Sequence, residues 1–452
     1  MTENNFGGEQ SSSLSLEVAT LKTSRTDITF DITSVVSEIQ FYENMARPYI
    51  TGFIIFTDSE RIIERLDIQG AEILELQFKR LSEAINVKPI KQKYIIHRIE
   101  KATKTNDFTQ VVTLRLIDYN AFKSSLTNVN KVVEGQPYEI IDKLLRENLD
   151  RDDLLTTAKF NSVAKTKAII PHMTPLQAAS WITQRSLTEN GYPYYFYKTA
   201  INDEYIFADL ETLLSAKVIN GDKPFSDNMA AGSSVTGARE FVIHSVEQAE
   251  MDDLHEMIRK GVVGSEQRYY DVTKGDFEIV NFNINNDLLV DVENLNPMQK
   301  KPLIDGFLKH EDIEISNYVS KKHSHIFSGQ VYDEIKSYDE PNLNADNSNK
   351  IKARALKFLL NKSIMKIVVD GDEFINGNEN YGIGNNVRIL VRSKEESQDP
   401  NTIDTKQSGD YLIVAANYVI KNSSSNKSEC ILLCAKVTNY QSDKYDALGG
   451  VV

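Results

Sequence analysis

The chain has 452 residues, of which 51 are Lys or Arg and 65 are Asp or Glu, giving a formal net charge of −14. Domains of ~100–200 residues make about three the natural division. Hydrophobic residues at 41% exclude wholesale disorder, and the acidic balance argues against wrapping nucleic acid, whose phosphates need Lys and Arg. No run approaches the ~18 unbroken apolar residues of a membrane span, so no direct membrane insertion is expected. The opening Met1-Thr-Glu-Asn-Asn-Phe-Gly-Gly has neither a basic nor an apolar stretch, which predicts no secretory signal.

Residues 1–14 form a polar, Ser-rich arm that alone would be disordered. From Leu16 to about Asp118 the pattern is that of strands. Ile50-Thr-Gly-Phe-Ile-Ile-Phe56 is rich in β-branched and aromatic residues and stops at Thr57-Asp58-Ser59, where Asp58 or Ser59 can cap a short helix over Glu60–Leu66. After Gly70, Leu74, Leu76 and Phe78 alternate with polar residues, a half-buried strand. Tyr94–Ile99 and Val111–Ile117 flank the turn-rich Thr103–Asp107 and read as a hairpin.

The character changes near Val129. Ile140, Ile141, Leu144, Leu145 and Leu149 fall on one face of a helix over Tyr138–Leu149. Thr174-Pro-Leu-Gln177 opens a second helix with a capping box and Pro in the first position, and this helix is expected to end near Asn190-Gly191. An aromatic strand, Tyr192–Tyr197, turns at Asn202-Asp203 and returns through Tyr205-Ile-Phe207. Ser226–Gly237 is a Gly/Ser/Ala linker. Beyond it come a strand at Glu240–Ser245, a helix over Met251–Lys260, and strands at Tyr269–Thr273, Phe277–Phe282, Ser363–Val369, Asn386–Val391, Tyr411–Val414 and Glu429–Cys434. Ser337–Lys350, Ser393–Gly409 and Asn422–Lys427 read as exposed polar loops suited to partner contacts. The fold class is therefore mainly β with an α+β middle.

Two stretches repeat a layout. Gly70-Ala-Glu-Ile-Leu-Glu-Leu76 sets over Gly384-Asn-Asn-Val-Arg-Ile-Leu390, Tyr94-Ile-Ile then falls within three residues of register with Tyr411-Leu-Ile, and apolar strands follow at Leu114 and Leu432. A duplication of this kind would give one chain two near-equivalent binding surfaces.

Residues that carry chemistry are sparse. Phosphate-loop, nucleophile-elbow and H-E-x-x-H patterns are absent, and Gly382-Ile-Gly384 meets Val387 where a dinucleotide fingerprint needs Gly. His323-Ser-His325 places two imidazoles on one face of a strand, as a metal pair requires, yet Lys321 and Lys322 adjoin it and no Cys, Asp or Glu is close in sequence. The remaining histidines are scattered: His97 and His244 on apolar strands, His172, His255 and His310 near polar stretches. Asp370-Gly-Asp-Glu373 lacks a calcium-loop run and reads as a turn. The aromatic run at Tyr192 has no interleaved Arg or Lys and reads as core or interface rather than as a base-stacking platform. Cys430 and Cys434, four apart on a strand, share one face about 13 Å apart at ~3.3 Å per residue, too far to bridge. Two such core thiols suit a chain made in a reducing cytoplasm. No catalytic, cofactor-binding or metal residue is assigned, and no cofactor is expected.

Several stretches together carry a resemblance. Ser37–Glu43, Pro48-Tyr-Ile-Thr-Gly52, Asp58 and Ile68-Gln-Gly-Ala-Glu72 follow the pattern E…P-x-x-x-G…D…G-x-E. This resembles the opening barrel of baseplate hub proteins from contractile-tailed bacteriophages. Thr174–Asn190 running into Tyr192–Leu214 is similar to their middle module, with its F-x-x-L-x-x-L ending. Ile258-Arg-Lys-Gly261, Tyr270-Asp-Val-Thr273 and Gly409-Asp-Tyr-Leu-Ile413 resemble the second barrel.

The resemblance implies two tail-tube-type β-barrel domains plus a middle α+β domain, divided as 1–127, 128–235 and 236–452. It implies a non-enzymatic hub in the virion's tail baseplate, acting in genome ejection. Three chains would form a pseudo-sixfold ring between the trimeric central spike and the hexameric tail tube or its initiator. Baseplate wedge proteins and the tape measure protein are further implied partners, with DNA only passing through the lumen. The sequence holds no lysozyme-like segment and no repetitive spike region, so wall cleavage and piercing fall to partner chains. The alternatives are the hub of a phage-tail-like bacteriocin or injection device, and a cell-wall hydrolase.

Overall fold

The computed structural model describes residues 14–23, 25, 28–80, 90–156, 166–188, 190–220, 224–226, 242–250, 254–272, 275–288, 309–310, 313–327, 343–361, 363–371, 382–392, 403–404, 407–422 and 428–439. The arm 1–13, most of the expected linker (227–237) and the loop residues 337–342, 393–402 and 423–427 lie outside these residues.

The protein is mainly β. Among the described residues the largest sheet has 13 strands. The sheet runs from Ile243–Glu250 through Ile364–Asp370, Ser428–Asn439 and Gly409–Lys421 to Val36–Asn44, then through Thr51–Asp58, Gln110–Asp118, Ile90–Lys104 and Ile73–Arg80 to Leu14–Lys22 and Thr29–Asp31. Asn386–Leu390 lies beside the first part of Gly409–Lys421, and Phe225–Ser226 pairs with it in parallel. Alternation drives these strands. In Thr51–Asp58 every second residue (Gly52, Ile54, Phe56, Asp58) is buried, so one face joins the core and the other stays wetter.

The same five-strand arrangement occurs twice. Val36–Asn44, Thr51–Asp58, Ile73–Arg80, Ile90–Lys104 and Gln110–Asp118 lie across the sheet as first, second, fifth, fourth and third in chain order. Ile243–Glu250, Ile364–Asp370, Asn386–Leu390, Gly409–Lys421 and Ser428–Asn439 adopt the identical permutation. Two register irregularities coincide: the shift between Ile96 and Arg98 matches that between Ile413 and Ala415, and Val36/Glu38 matches Ile243/Ser245, whereas Ile99/Lys101, Asp410/Tyr411 and Gln248/Glu250 each occur in one copy only. Bulges fix register locally, so the two shared bulges align the copies at those points.

The sequence alignment of the repeat needs a one-residue correction. Ala71 N–H donates to Ile96 O at 2.8 Å and Ile96 N–H to Glu72 O at 2.8 Å; Gly384 N–H donates to Ile413 O at 2.8 Å and Ile413 N–H to Asn385 O at 3.0 Å. Ala71, not Gly70, is therefore the counterpart of Gly384. Both adopt positive φ, 72° and 87°. The glycines misled the alignment because the first copy holds its left-handed position with Ala.

Between the copies sits an α+β region with a core of its own. Pro137–Leu149 buries the expected Ile140, Ile141, Leu144, Leu145 and Leu149 against Ala178, Ala179 and Ile182 of the helix Pro175–Thr183 and against the hairpin Tyr194–Lys198/Tyr205–Asp209. Thr174 and Gln177 make the reciprocal capping bonds. This helix stops at Thr183, short of Asn190-Gly191. Thr183 and Ser186 turn their hydroxyls back onto Ala179 O and Ile182 O, and Thr188 N–H then bonds Tyr192 O, closing a tight loop at Gly191. A second correction falls in the expected loop Ser337–Lys350, inside which the helix Leu343–Leu360 begins. Its described buried residues, Ile351, Ala353, Ala355, Leu356 and Leu360, lie after the polar stretch, so the helix is held by downstream packing that its polar start does not reveal.

Candidate functional site

The carboxylates of the motif E…P-x-x-x-G…D…G-x-E are buried on the inward phase of the first copy. Glu43 extends the inward series Ile39, Phe41 on Val36–Asn44, Asp58 closes that of Thr51–Asp58, and Glu72 precedes Ile73–Arg80. Asp58 accepts Ile62 N–H at 2.8 Å and Ile63 N–H at 3.3 Å and so satisfies the helix start, although the N-cap position itself is Arg61, not Asp58 or Ser59, and the helix is shorter than expected, Ile62–Arg65. Glu72 accepts Gln69 N–H and Gly70 N–H, each at 3.0 Å, and pairs with Arg25, pinning the turn before the strand. Gly52 lies so close to Gln40 O that a β-carbon there would overlap it.

Glu43 does something further: it joins three parts of the chain. Its carboxylate accepts Ala200 N–H (2.7 Å) from the middle region, and Tyr418 O–H (2.7 Å) and Ile383 N–H (3.3 Å) from the second copy. Burial raises the Glu43 carboxyl above the usual range, opposed by those three hydrogen bonds, and burial together with Glu43 lifts the Tyr418 phenol. Next to this point the copies pair directly. Ala415–Lys421 runs antiparallel to Glu38–Asn44, from Ala415 opposite Asn44 to Lys421 opposite Glu38, and Asn417 donates to Gln40 at 3.0 Å. Phe41 stacks on Tyr94 (centroids 5.0 Å apart) and meets Phe78 edge-on at 5.9 Å.

A second buried connection holds the middle region. Lys198, fully buried, pairs with Asp118 and with Asp203 at 2.6 Å. Asp118 also accepts Asn120 N–H at 2.7 Å at the start of the helix Tyr119–Ser125. Asn386 donates to Leu213 O (2.9 Å) and Ala216 O (2.8 Å), fastening the residues after the hairpin to the second copy. Together these contacts join the middle region to both copies.

The other sequence candidates take ordinary places. His323 and His325 lie opposite Gln267 and Tyr269 on Lys321–Phe327, a strand parallel to Gly264–Asp271. Desolvation holds the His323 ring below its usual range, with the positive charges of Arg354 and Lys321 adding to the effect, an environment that repels a cation. Among the described residues no three His, Cys, Asp or Glu side chains converge as a metal site would require. Cys430 and Cys434 are buried free thiols whose pKa burial pushes up. The aromatic hairpin is core: Tyr194 stacks on Phe207 at 4.7 Å and Phe196 on Tyr205 at 5.6 Å. In the sequence Glu43 stands out only as part of the motif. Its signal was available, a carboxylate on the inward beat of an apolar alternation.

No protein-family model matches the sequence, and no curated protein matches it. Solved structures do. A tail protein from Neisseria meningitidis MC58 aligns over 93% of this chain and 96% of its own, with 11% identity and a TM-score of 0.52. The chain has the fold of that tail protein. A 43 kDa tail protein of prophage MuSo2 from Shewanella oneidensis aligns over 93% and 98% with 7% identity, at a TM-score of 0.48. Among the described residues no helix is long and apolar enough to cross a membrane.

Proposed function

We propose that this chain is the structural baseplate hub of a contractile phage tail, a scaffold and not an enzyme. In this reading three copies form a ring around the DNA channel, and each gives two tube-type domains, 1–127 and 236–452, on either side of a middle domain, 128–235. Six similar units would then face the hexameric tail tube or its initiator while the threefold ring receives the central spike. Wedge and tape measure proteins complete the proposed contacts in the virion. The observation that carries the reading is the repeat: one strand permutation, with two bulges in common, present twice and joined edge to edge. Three copies of a doubled unit are the direct way to reconcile threefold and sixfold neighbours. The net charge of −14 suits a lumen that passes DNA without holding it.

Native mass measurement and imaging of the purified full chain test this. Rings of three copies around an open channel are expected, and a strictly monomeric chain across the accessible concentration range overturns the reading.

A further inference from the structure

The junction between the two copies inside the chain has an unused counterpart. Ala415–Lys421, the second part of its strand, is covered by Glu38–Asn44. By the repeat, Ala415–Lys421 corresponds to the last part of Ile90–Lys104, and Val36–Asn44 corresponds to Ile243–Glu250. Among the described residues neither of these counterparts is covered. Ile90–Lys104 meets Ile73–Arg80 only up to Ile95, and residues 97–104 are exposed; Ile243–Glu250 pairs with Ile364–Asp370 on one side only. Open strand edges of this length invite pairing with another chain. They lie well apart in the sheet order, with Ile243–Glu250 at one end, so they cannot meet in the way their counterparts do within one chain.

We infer that the two edges pair with each other between copies of this chain, head to tail, repeating the internal junction. This rests on the ring reading above and supplies its contact. The register follows from the repeat when it is counted along the partner strands Gln110–Asp118 and Ser428–Asn439, because Ile90–Lys104 carries an extra bulge between Ile99 and Lys101 that Gly409–Lys421 lacks. Thr103, opposite Val111, corresponds to Val419, opposite Glu429; Glu247, opposite Lys366, corresponds to Gln40, opposite Phe53. Since Val419 faces Gln40, Thr103 faces Glu247 of the second copy, and Lys104 faces Val246. The charges agree on balance: Arg98, Lys101 and Lys104 outnumber Glu100, itself paired with Arg115, on one exposed edge, and Glu247, 61% exposed and 2.8 Å from Lys366 of its own sheet, stands on the other. Lys101 falls on the diagonal from Glu247, a favourable cross-strand placement. The half-exposed Ile99 (38%) and Val111 (37%) mark apolar surface beside the same edge.

The bonds Asn422 N–H to Ser37 O (3.1 Å) and Met45 N–H to Val414 O (3.0 Å) make Val419–Gln40 a non-hydrogen-bonded pair, the class with the closer side chains. The equivalent Thr103–Glu247 pair therefore suits a disulfide. In the full chain, a Thr103→Cys, Glu247→Cys variant is expected to give oxidised, intermolecularly cross-linked rings on non-reducing gels, while each single variant gives none. The native thiols are buried and do not compete. Val246→Pro is the second test. Ile39, its counterpart, bonds outward to Ile420, so proline at 246 removes a donor from the outer edge and spares the pairing with Ile364–Asp370. A folded chain with at least tenfold weaker self-association is expected. A wild-type ring with no cross-link, or an undiminished ring in a folded Val246→Pro variant, overturns the edge pairing and leaves the ring reading standing. A monomeric wild type overturns both.

Discussion

The two copies of the five-strand unit share a backbone plan but place opposite chemistry on it. Asp118 and Lys436 occupy matching positions, opposite Tyr94 and Tyr411, and both are buried. Asp118 is answered by a helix start and by Lys198 from the middle region. Lys436 lies under a burial penalty that lowers its ammonium to about 8, with Asp404 opposing. Ala71 and Gly384 differ in the same spirit. Gly384 sits against the Tyr197 hydroxyl, where a β-carbon would overlap it, while Ala71 holds the same φ in open surroundings. The difference teaches that the topology was kept while each copy adapted to its neighbour, and the middle region is a neighbour of both.

Substitutions can break that comparison. Glu43→Ala leaves Ala200 N–H, Ile383 N–H and Tyr418 O–H without their acceptor, and a loss of about 4 kcal/mol is expected in chemical denaturation. Glu43→Gln, which keeps an acceptor, should lose less than half as much; equal losses would mean the carboxylate's bonds do not hold the junction. Gly384→Ala brings both a strained φ and overlap with Tyr197, for about 3 kcal/mol. Calorimetry on that variant checks it, and an unchanged melting temperature would refute the close contact.

Lys436→Met addresses the charge asymmetry through pH. The folded ammonium loses its proton near 8, the unfolded one near ~10.4, so between these values the unfolded chain binds more protons and wild-type stability rises with pH. Relative to the variant, the wild type should gain ~3 kcal/mol from pH 7.5 to 10.5. Parallel stability curves would contradict it. The smallest effect is expected at Ala71→Gly. Relief of a left-handed Ala offsets the greater freedom of Gly in the unfolded chain, leaving a change within ~1 kcal/mol. Set beside Gly384→Ala, it measures how far the two positions have diverged.

The strands were readable where apolar and polar residues alternate, as at Leu74–Phe78 and Val111–Ile117, because period-two burial leaves its mark in a short window. The helix Pro137–Leu149 was readable from one face and its proline start. The start of Leu343–Leu360 was not, since its first turns carry polar residues and its packing partners are distant in sequence. The motif carboxylates could be quoted as a pattern, yet nothing local revealed that Glu43 would gather donors from residues 200, 383 and 418.

By itself, then, the sequence determined the order of strands and helices, the repeated layout and the scarcity of reactive groups, all consequences of local periodicity and composition. The tertiary structure alone decided which strand edges are covered and which stay open, how the copies join through Glu43, and where the repeat's true register lies. Those are matters of pairing between residues from a few tens to hundreds of positions apart, and a hydrogen bond or a buried charge takes its value from the partner across the sheet, which no neighbouring residue in the chain can specify.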